Sequence, residues 1–274
     1  MASQMTNKAV ILARGLGKRM RQADERATID AQQAAVADQG IKAMIPIGRP
    51  FLDYVLSALA DAGYHDVCLV IGPEHTAVRD YYARSDLLDR VRIAVAIQER
   101  PIGTANAVLA AEPFAGEDRF LVMNADNYYP VAAYVALRDL GEPGLIAFDR
   151  EALIADGHIP AERILKFALL DIGDDGYLRR IFEKPDEATA RAMAGVRAVS
   201  MNVWCFDTGI FDPCRTVAPS PRGELELPFA VQHAIDAYGR RFRAVPMAAP
   251  VLDLSSRGDI AGVAERLAGI EVRL

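Results

Sequence analysis

Short runs of consecutive apolar residues, separated by stretches with helical spacing, restrict this chain to few folds. Residues 9–13 (AVILA), 66–72 (DVCLVIG), 92–98 (RIAVAIQ) and 119–126 (RFLVMNAD) are rich in Val, Ile and Leu, with no alternation of apolar and polar positions. Such runs fit strands covered on both faces. Between them, RPFLDYVLSALADAG repeats apolar residues at helical spacing, with Pro50 near its start and Gly63 beyond its end, the usual asymmetry of helix termini. A shorter helical pattern, GTANAVLAAEPF, is expected to stop at Pro113. This alternation predicts an α/β fold: a mainly parallel sheet with helices on both faces, and ligands outside the carboxyl ends of the strands.

The second half is less regular. GLIAFD, KFALLDIGDDGYLRRIFEKP, VSMNVWCFD and FRAVPM read as strands, several of them antiparallel, and Asp174-Asp175-Gly176 between two apolar runs marks a hairpin. No repeat, low-complexity tract or linker separates the halves. The 274 residues are therefore expected to form one domain, 1–274, with the second half built onto the same sheet. Residues 21–41 (RQADERATIDAQQAAVADQGI) depart from the pattern, being rich in Ala, Gln and Asp. They suit an exposed, mobile helix ending at Gly40, either over the ligand site or as an inert surface insertion.

With 51% apolar and 25% charged residues, the chain can bury a core without metals or disulfides. Cys68, Cys205 and Cys214 show no C-x-x-C spacing, and Cys68 and Cys205 sit inside apolar runs; buried thiols in a reducing cytoplasm are expected. Nothing before Ala9 resembles the apolar core of a signal peptide, and no apolar run approaches the roughly eighteen residues of a membrane span. A cytoplasmic protein with no membrane partner is expected. The net charge of -6 argues against a nucleic-acid partner. His65, His75, His158 and His233 are scattered and read as surface or packing residues rather than zinc ligands.

Against that acidic balance, the first strand ends in ARGLGKRMR, where Gly15-Leu16-Gly17 is followed by Lys18, Arg19 and Arg21. A dinucleotide loop needs a third glycine, and Met20 stands there. A Walker loop needs a hydroxyl after Gly-Lys, and Arg19 stands there. Glycines that admit backbone N–H groups to a triphosphate, followed by a neutralising cation, suit a third kind of loop.

That loop resembles the G-x-G-[TK]-R-[ML] element of sugar-1-phosphate nucleotidyltransferases of the glucose-1-phosphate thymidylyltransferase and uridylyltransferase kind. Further segments resemble the family in order along the chain: KAMIP (Lys42, Pro46), QERPIGTANAV (Gln98, Gly103), NADN (Asp126), EKP (Glu183, Lys184, Pro185), VSMNVWCFD, GELELPF and VLDLSSRGD (Asp253). The resemblance implies a GT-A-like nucleotidyltransferase fold, with residues 1–130 as nucleotide-binding half and 131–274 as sugar-binding half and closing helix. It implies transfer of a nucleotidyl group from an NTP, UTP or dTTP favoured, to a sugar 1-phosphate, with Mg²⁺ as cofactor and pyrophosphate as co-product. Because the chain ends soon after Asp253, the β-helical acyltransferase domain of some relatives is not expected. The small-molecule substrates are the expected partners, and a homo-oligomer is compatible with the sequence.

Carried over residue by residue, the resemblance gives Arg19 to the triphosphate and leaving pyrophosphate, with Lys18 beside it and Ala13, Gly15 and Gly17 supplying the loop. Lys42 faces the α-phosphate or sugar phosphate, and Asp126 and Asp253 hold the metal. Gln98 reads the base, with Gly103 and Thr104 at its side. Glu183 accepts from sugar hydroxyls, Lys184 grips the sugar's phosphate, and Asn202 takes the place of a glycine in the sugar strand. Several positions depart from the family pattern. Arg14 and Lys18 make the triphosphate loop more cationic, Trp204 replaces a tyrosine, and LDLSSRGD replaces D-x-G-T. The changes in the sugar strand and the closing stretch are expected to fall on the sugar side. Two alternatives stay open. One is a GT-A glycosyltransferase, whose D-x-D is here Asn124-Ala125-Asp126. The other is a non-catalytic sugar-nucleotide sensor, against which stand Arg19, Lys42 and both aspartates.

Overall fold

A computed structural model describes residues 5–84, 88–157, 159–164, 166–193 and 195–274; His158 lies outside them. Strands β1 (Lys8–Leu12), β2 (Pro46–Ile47), β3 (Arg49–Pro50), β4 (Asp66–Ile71), β5 (Arg92–Ile97), β6 (Phe120–Asn124) and β7 (Asn127–Tyr128) come from the first half. The second half adds β8 (Gly144–Asp149), β9 (Ala168–Ile172), β10 (Leu178–Phe182), β11 (Ala198–Phe206), β12 (Arg243–Met247) and β13 (Leu252–Asp253). The main sheet runs β10-β9-β11-β6-β1-β4-β5, with β8 beside β11 and β12 beside β8. The neighbours of β1 and β4 are all parallel. β11 is antiparallel to β6, β8 and β9, and β9–β10 is the expected hairpin.

Both faces of the central strands are covered, which explains their unbroken apolar sequences. Ile11, Leu69 and Met123 pack on one face with Phe51, Leu52 and Val55 of the helix Phe51–Asp61. Val10, Val70 and Val122 pack on the other with Trp204, Phe206 and Val231. Cys68, Cys205 and Cys214 are all buried free thiols, and burial pushes each up to about 12.

Two local expectations are corrected or sharpened. Pro113 does not end the helix Thr104–Ala110; it sits in the first turn of the next, Glu112–Ala115, where a missing N–H costs nothing. The polar stretch does form a helix, Ala31–Gln39, capped by Asp30 and closed by a left-handed Gly40, with Ala37 buried. Asp30 and Gln33 exchange capping hydrogen bonds, and Gln33 Nε2 donates to Pro46 O at 2.9 Å.

The long strand β11 changes partners midway. Its pairing with β8 shifts between Ser200 and Trp204, and Asn202 between them adopts φ 59°. This left-handed conformation suits glycine and tolerates asparagine better than most residues. Asn202→Val, which puts a branched side chain at that φ, is expected to destabilise the fold by about 2 kcal/mol, whereas Asn202→Gly should leave stability nearly unchanged; urea unfolding of both variants measures the difference.

Candidate active site

Parallel order places the carboxyl ends of β5, β4, β1 and β6 along one rim, and backbone hydrogen bonds continue the ladder past the strands. Ala13 N–H donates to Val70 O (2.8 Å), Gln98 N–H to Ile71 O (2.8 Å) and Ala125 N–H to Leu12 O (3.2 Å). A cleft of about 600 Å³ opens above this rim. Ala13, Gly15, Gly17, Lys18 and Arg19 line one wall; Gln98, Gly103 and Thr104 line another; Lys42 and Asp126 meet between them. Of the nucleotide-side residues named from the sequence, all line this cleft.

The glycine loop is tight for a packing reason. Gly17 has φ 59°, and a Cβ there would lie 2.2 Å from Gly40 O. The loop therefore packs directly on the end of the helix Ala31–Gln39, and Lys42 N–H donates to Gly40 O at 3.1 Å. That contact sets Lys42 within reach of the rim, where its Nζ donates to Asp126 Oδ2 at 2.8 Å.

Asp253 arrives by a separate route. The two-stranded ladder β13–β7 pairs Asp253 with Asn127, and Leu254 N–H donates to Asp126 O at 2.8 Å. Its carboxylate accepts from Ser255 Oγ (2.8 and 2.9 Å), Asn127 Nδ2 (3.3 Å) and Arg163 Nη1 (3.2 Å). Arg163 also pairs with Asp259 at 2.9 Å. Ser255 Oγ in turn receives a long bond of 3.4 Å from Arg19 Nη2, linking the loop cation to this carboxylate. Burial first, and the neighbouring charge of Asp126 second, push the Asp253 carboxyl up to about 6.

The wall at Gln98 is equally constrained. Gln98 is buried, and its Nε2 donates to Gly103 O (2.9 Å) and Asn106 Oδ1 (3.0 Å). Both amide N–H bonds are thus used, and what Gln98 can offer a ligand is an acceptor. Gly103, at φ 127°, lies against Leu225, whose O is 2.3 Å from where a Cβ would stand. Thr104 Oγ1 accepts from Leu227 N–H at 2.8 Å, so this hydroxyl fixes the segment that brings Arg222 and Glu224 into the cleft.

Glu183, Lys184 and Asn202 do not line that cleft. Glu183 follows β10, and burial holds its carboxyl above the usual range. Its Oε1 lies 3.3 Å from Lys184 Nζ, and Oε2 is buried without a hydrogen-bond partner among the described residues. Lys184, half-exposed, takes the left-handed φ of 46°. Asn202 precedes Val203, which pairs with Met123 near the carboxyl end of β6.

Four contributors escaped the sequence reading. Arg163 and Ser255 engage Asp253, Arg222 lines the cleft, and Arg257 clasps the residues that follow the glycine loop. Arg257 donates through Nε to Met20 O (2.9 Å) and through Nη2 to Arg21 O (3.4 Å), and it pairs with Asp38. The RGD turn of LDLSSRGD thus contacts the residues that follow the glycine loop and the helix Ala31–Gln39. Arg14 lines the cleft as well, with its guanidinium turned onto Glu74 and the Gln98 carbonyl.

The sequence pattern of the nucleotidyl transferase family matches residues 8–246. The chain belongs to that family. This family member is 32% identical to a glucose-1-phosphate thymidylyltransferase of Streptomyces antibioticus over 238 residues, covering 84% of this chain and 57% of the relative. It thus spans a little over half the length of that relative. It is 26% identical to the UTP–glucose-1-phosphate uridylyltransferase AglF of Haloferax volcanii, covering 94% and 96% of the two chains. A UTP-bound UGPase from Acinetobacter baumannii superposes with a TM-score of 0.74 at 17% identity, over 97% of this chain and 95% of the other. At that identity the likeness shows a shared fold. Among the described residues, no helix is long and apolar enough to cross a membrane.

The raised carboxyl of Asp253 has a consequence for stability. Its ordinary value is 3.8 and its folded value about 6, so the native state takes up a proton that the unfolded chain does not hold between these values. Stability from this group is full below the lower value and is lost as pH rises through about 6. Asp253→Asn is expected to flatten that slope; ligand-free urea unfolding across the window tests this, and equal slopes in both proteins would contradict it.

Proposed function

We propose that this protein joins an NTP, with UTP or dTTP favoured, to a sugar 1-phosphate, releasing pyrophosphate and an NDP-sugar. The observation that carries this reading is the Lys42–Asp126 pair, 2.8 Å apart at the rim of a cleft walled by the glycine loop. It sets a phosphate-seeking cation and a metal-seeking carboxylate side by side where a triphosphate would lie. The relatives named for glucose-1-phosphate and for dTTP- or UTP-type chemistry support the same direction.

In the proposed step, an anionic phosphate oxygen of the sugar 1-phosphate attacks the α-phosphorus in line. The bond from that phosphorus to the bridging α–β oxygen breaks, and pyrophosphate leaves with the electron pair. The nucleophile is already ionised near neutral pH, so no general base is required. Rate must come from orientation and from cancelling the repulsion between two polyanions. Arg19 and Lys18 would hold the β- and γ-phosphates, and Lys42 would meet the charge that builds at the α-phosphate. Gln98 would accept the ring N–H of uracil or thymine. Glu183, with a buried acceptor oxygen to satisfy, suits a sugar hydroxyl, and Lys184 its phosphate.

The residues present also fit a magnesium ion. Mg²⁺ takes one or two carboxylates together with substrate oxygens, and Asp126 and Asp253 are close enough for one charge to raise the other's proton affinity. When bound there, the ion would supply further neutralisation of phosphate charge. Arg163, Ser255 and Asn127 hold the Asp253 carboxylate in orientation, as supporting groups do around metal ligands.

A pyrophosphate-release assay over NTPs and sugar 1-phosphates tests the reading. Turnover is expected with UTP or dTTP, and Asp126→Asn is expected to lower kcat by a factor of roughly 10²–10³ with the melting temperature little changed. An unchanged rate removes Asp126 from the mechanism. Tight NTP binding without turnover for any pair would favour the sensor.

A further inference from the structure

Arg14 stands in the glycine loop and lines the cleft, yet its side chain is only 7% exposed. Nε and Nη2 lie 3.2 Å from the two carboxylate oxygens of Glu74, and Nη1 donates to the backbone carbonyl of Gln98. The ion pair crosses over Gly72. A Cβ there would fall 2.3 Å from Glu74 Oε1 and 2.5 Å from Arg14 Nε, so the pair fills the space a side chain would need.

The target of this arrangement is the last residue anchored to the edge of the sheet. β5 is the outermost strand on its side, and its pairing with β4 ends at Ile97. The Gln98 carbonyl therefore lies beyond the ladder and needs another donor, which Arg14 supplies. With Gln98 N–H on Ile71 O and both side-chain N–H bonds on Gly103 O and Asn106 Oδ1, Oε1 is the group left to meet a ligand.

We propose that Arg14 is a positioning residue for base selection: its pair with Glu74 pins the peptide at the end of β5, so that Gln98 Oε1 is held where a pyrimidine ring N–H arrives. The proposal rests on the assignment of Gln98 to the base edge made above. Cytosine isolates the contact, because its ring N3 carries no hydrogen and cannot donate to Oε1, whereas N3 of uracil does.

Titration calorimetry of UTP and CTP with the wild type, Arg14→Ala and Arg14→Lys provides the test, with melting temperatures as the fold control. The wild type is expected to prefer UTP. Arg14→Ala should weaken UTP roughly tenfold, equivalent to about 1.4 kcal/mol, with little change for CTP, so that the preference shrinks by that factor. Arg14→Lys, which keeps the charge but cannot span Glu74 and Gln98 as a planar fork does, should lose preference by a smaller factor. Arg14→Ala retaining the wild-type preference, or weakening both nucleotides equally, overturns the proposal and leaves the base assignment standing. If Arg14→Ala does not fold, Arg14→Lys decides, and an unchanged preference there overturns it. A wild type that binds UTP and CTP equally, or neither, removes the Gln98 assignment and the proposal with it.

Discussion

The site depends on parallel pairing on both sides of β1. Four strands running the same way end at one rim, and the ladder continues one residue further through Ala13, Gln98 and Ala125. Those three backbone positions are thus located by the sheet itself rather than by loops. A loop attached to such a rim starts from a rigid point, and the glycine loop, the Gln98 wall and Asp126 each begin there. The antiparallel second half adds width to the same sheet and brings Asn202 beside β6.

Charge is balanced locally at four points of this region. Asp126 is matched by Lys42, Asp253 by Arg163, Glu74 by Arg14 and Asp38 by Arg257. Lys42 is already held by a carboxylate, whereas Arg19 reaches only the Ser255 hydroxyl. An anion that recruited Lys42 would exchange with Asp126, so its binding entails rearranging that ion pair. Lys42 and Arg19 are tied by a single contact or by a long one, whereas Arg163 and Arg257 are each anchored at two or more places. This separates side chains suited to switch partners from those that keep the frame.

Much of this was legible in sequence because it is local. Apolar runs without alternation identified the parallel strands, Asp-Asp-Gly marked the β9–β10 hairpin, and Gly40 marked the end of the helix Ala31–Gln39. The glycine loop, Lys42, Gln98 and Asp126 carry their signals within a few residues. Arg163 carries none, since its partner Asp253 is 90 residues away and meets it only through the fold. The direction of a long side chain is likewise invisible in a motif. Arg14 sits in the glycine loop and spends its donors on Glu74 and the Gln98 carbonyl, while Arg257 sits in the closing stretch and spends its donors on Met20 and Arg21.

Gly17 and Gly40 touch, so the chain leaves the glycine loop and returns to the same point twenty-odd residues later. Everything between them is a detour whose ends are already joined. Beyond the short helix Lys18–Arg21, which carries Arg19 and is anchored by Arg257, its length can therefore vary without moving Arg19 or Lys42 relative to each other, much as a hairpin loop can lengthen without disturbing its strands. The two glycines form the neck of a cassette, and the segment it encloses is free to acquire contacts of its own while the rim stays as the sheet placed it.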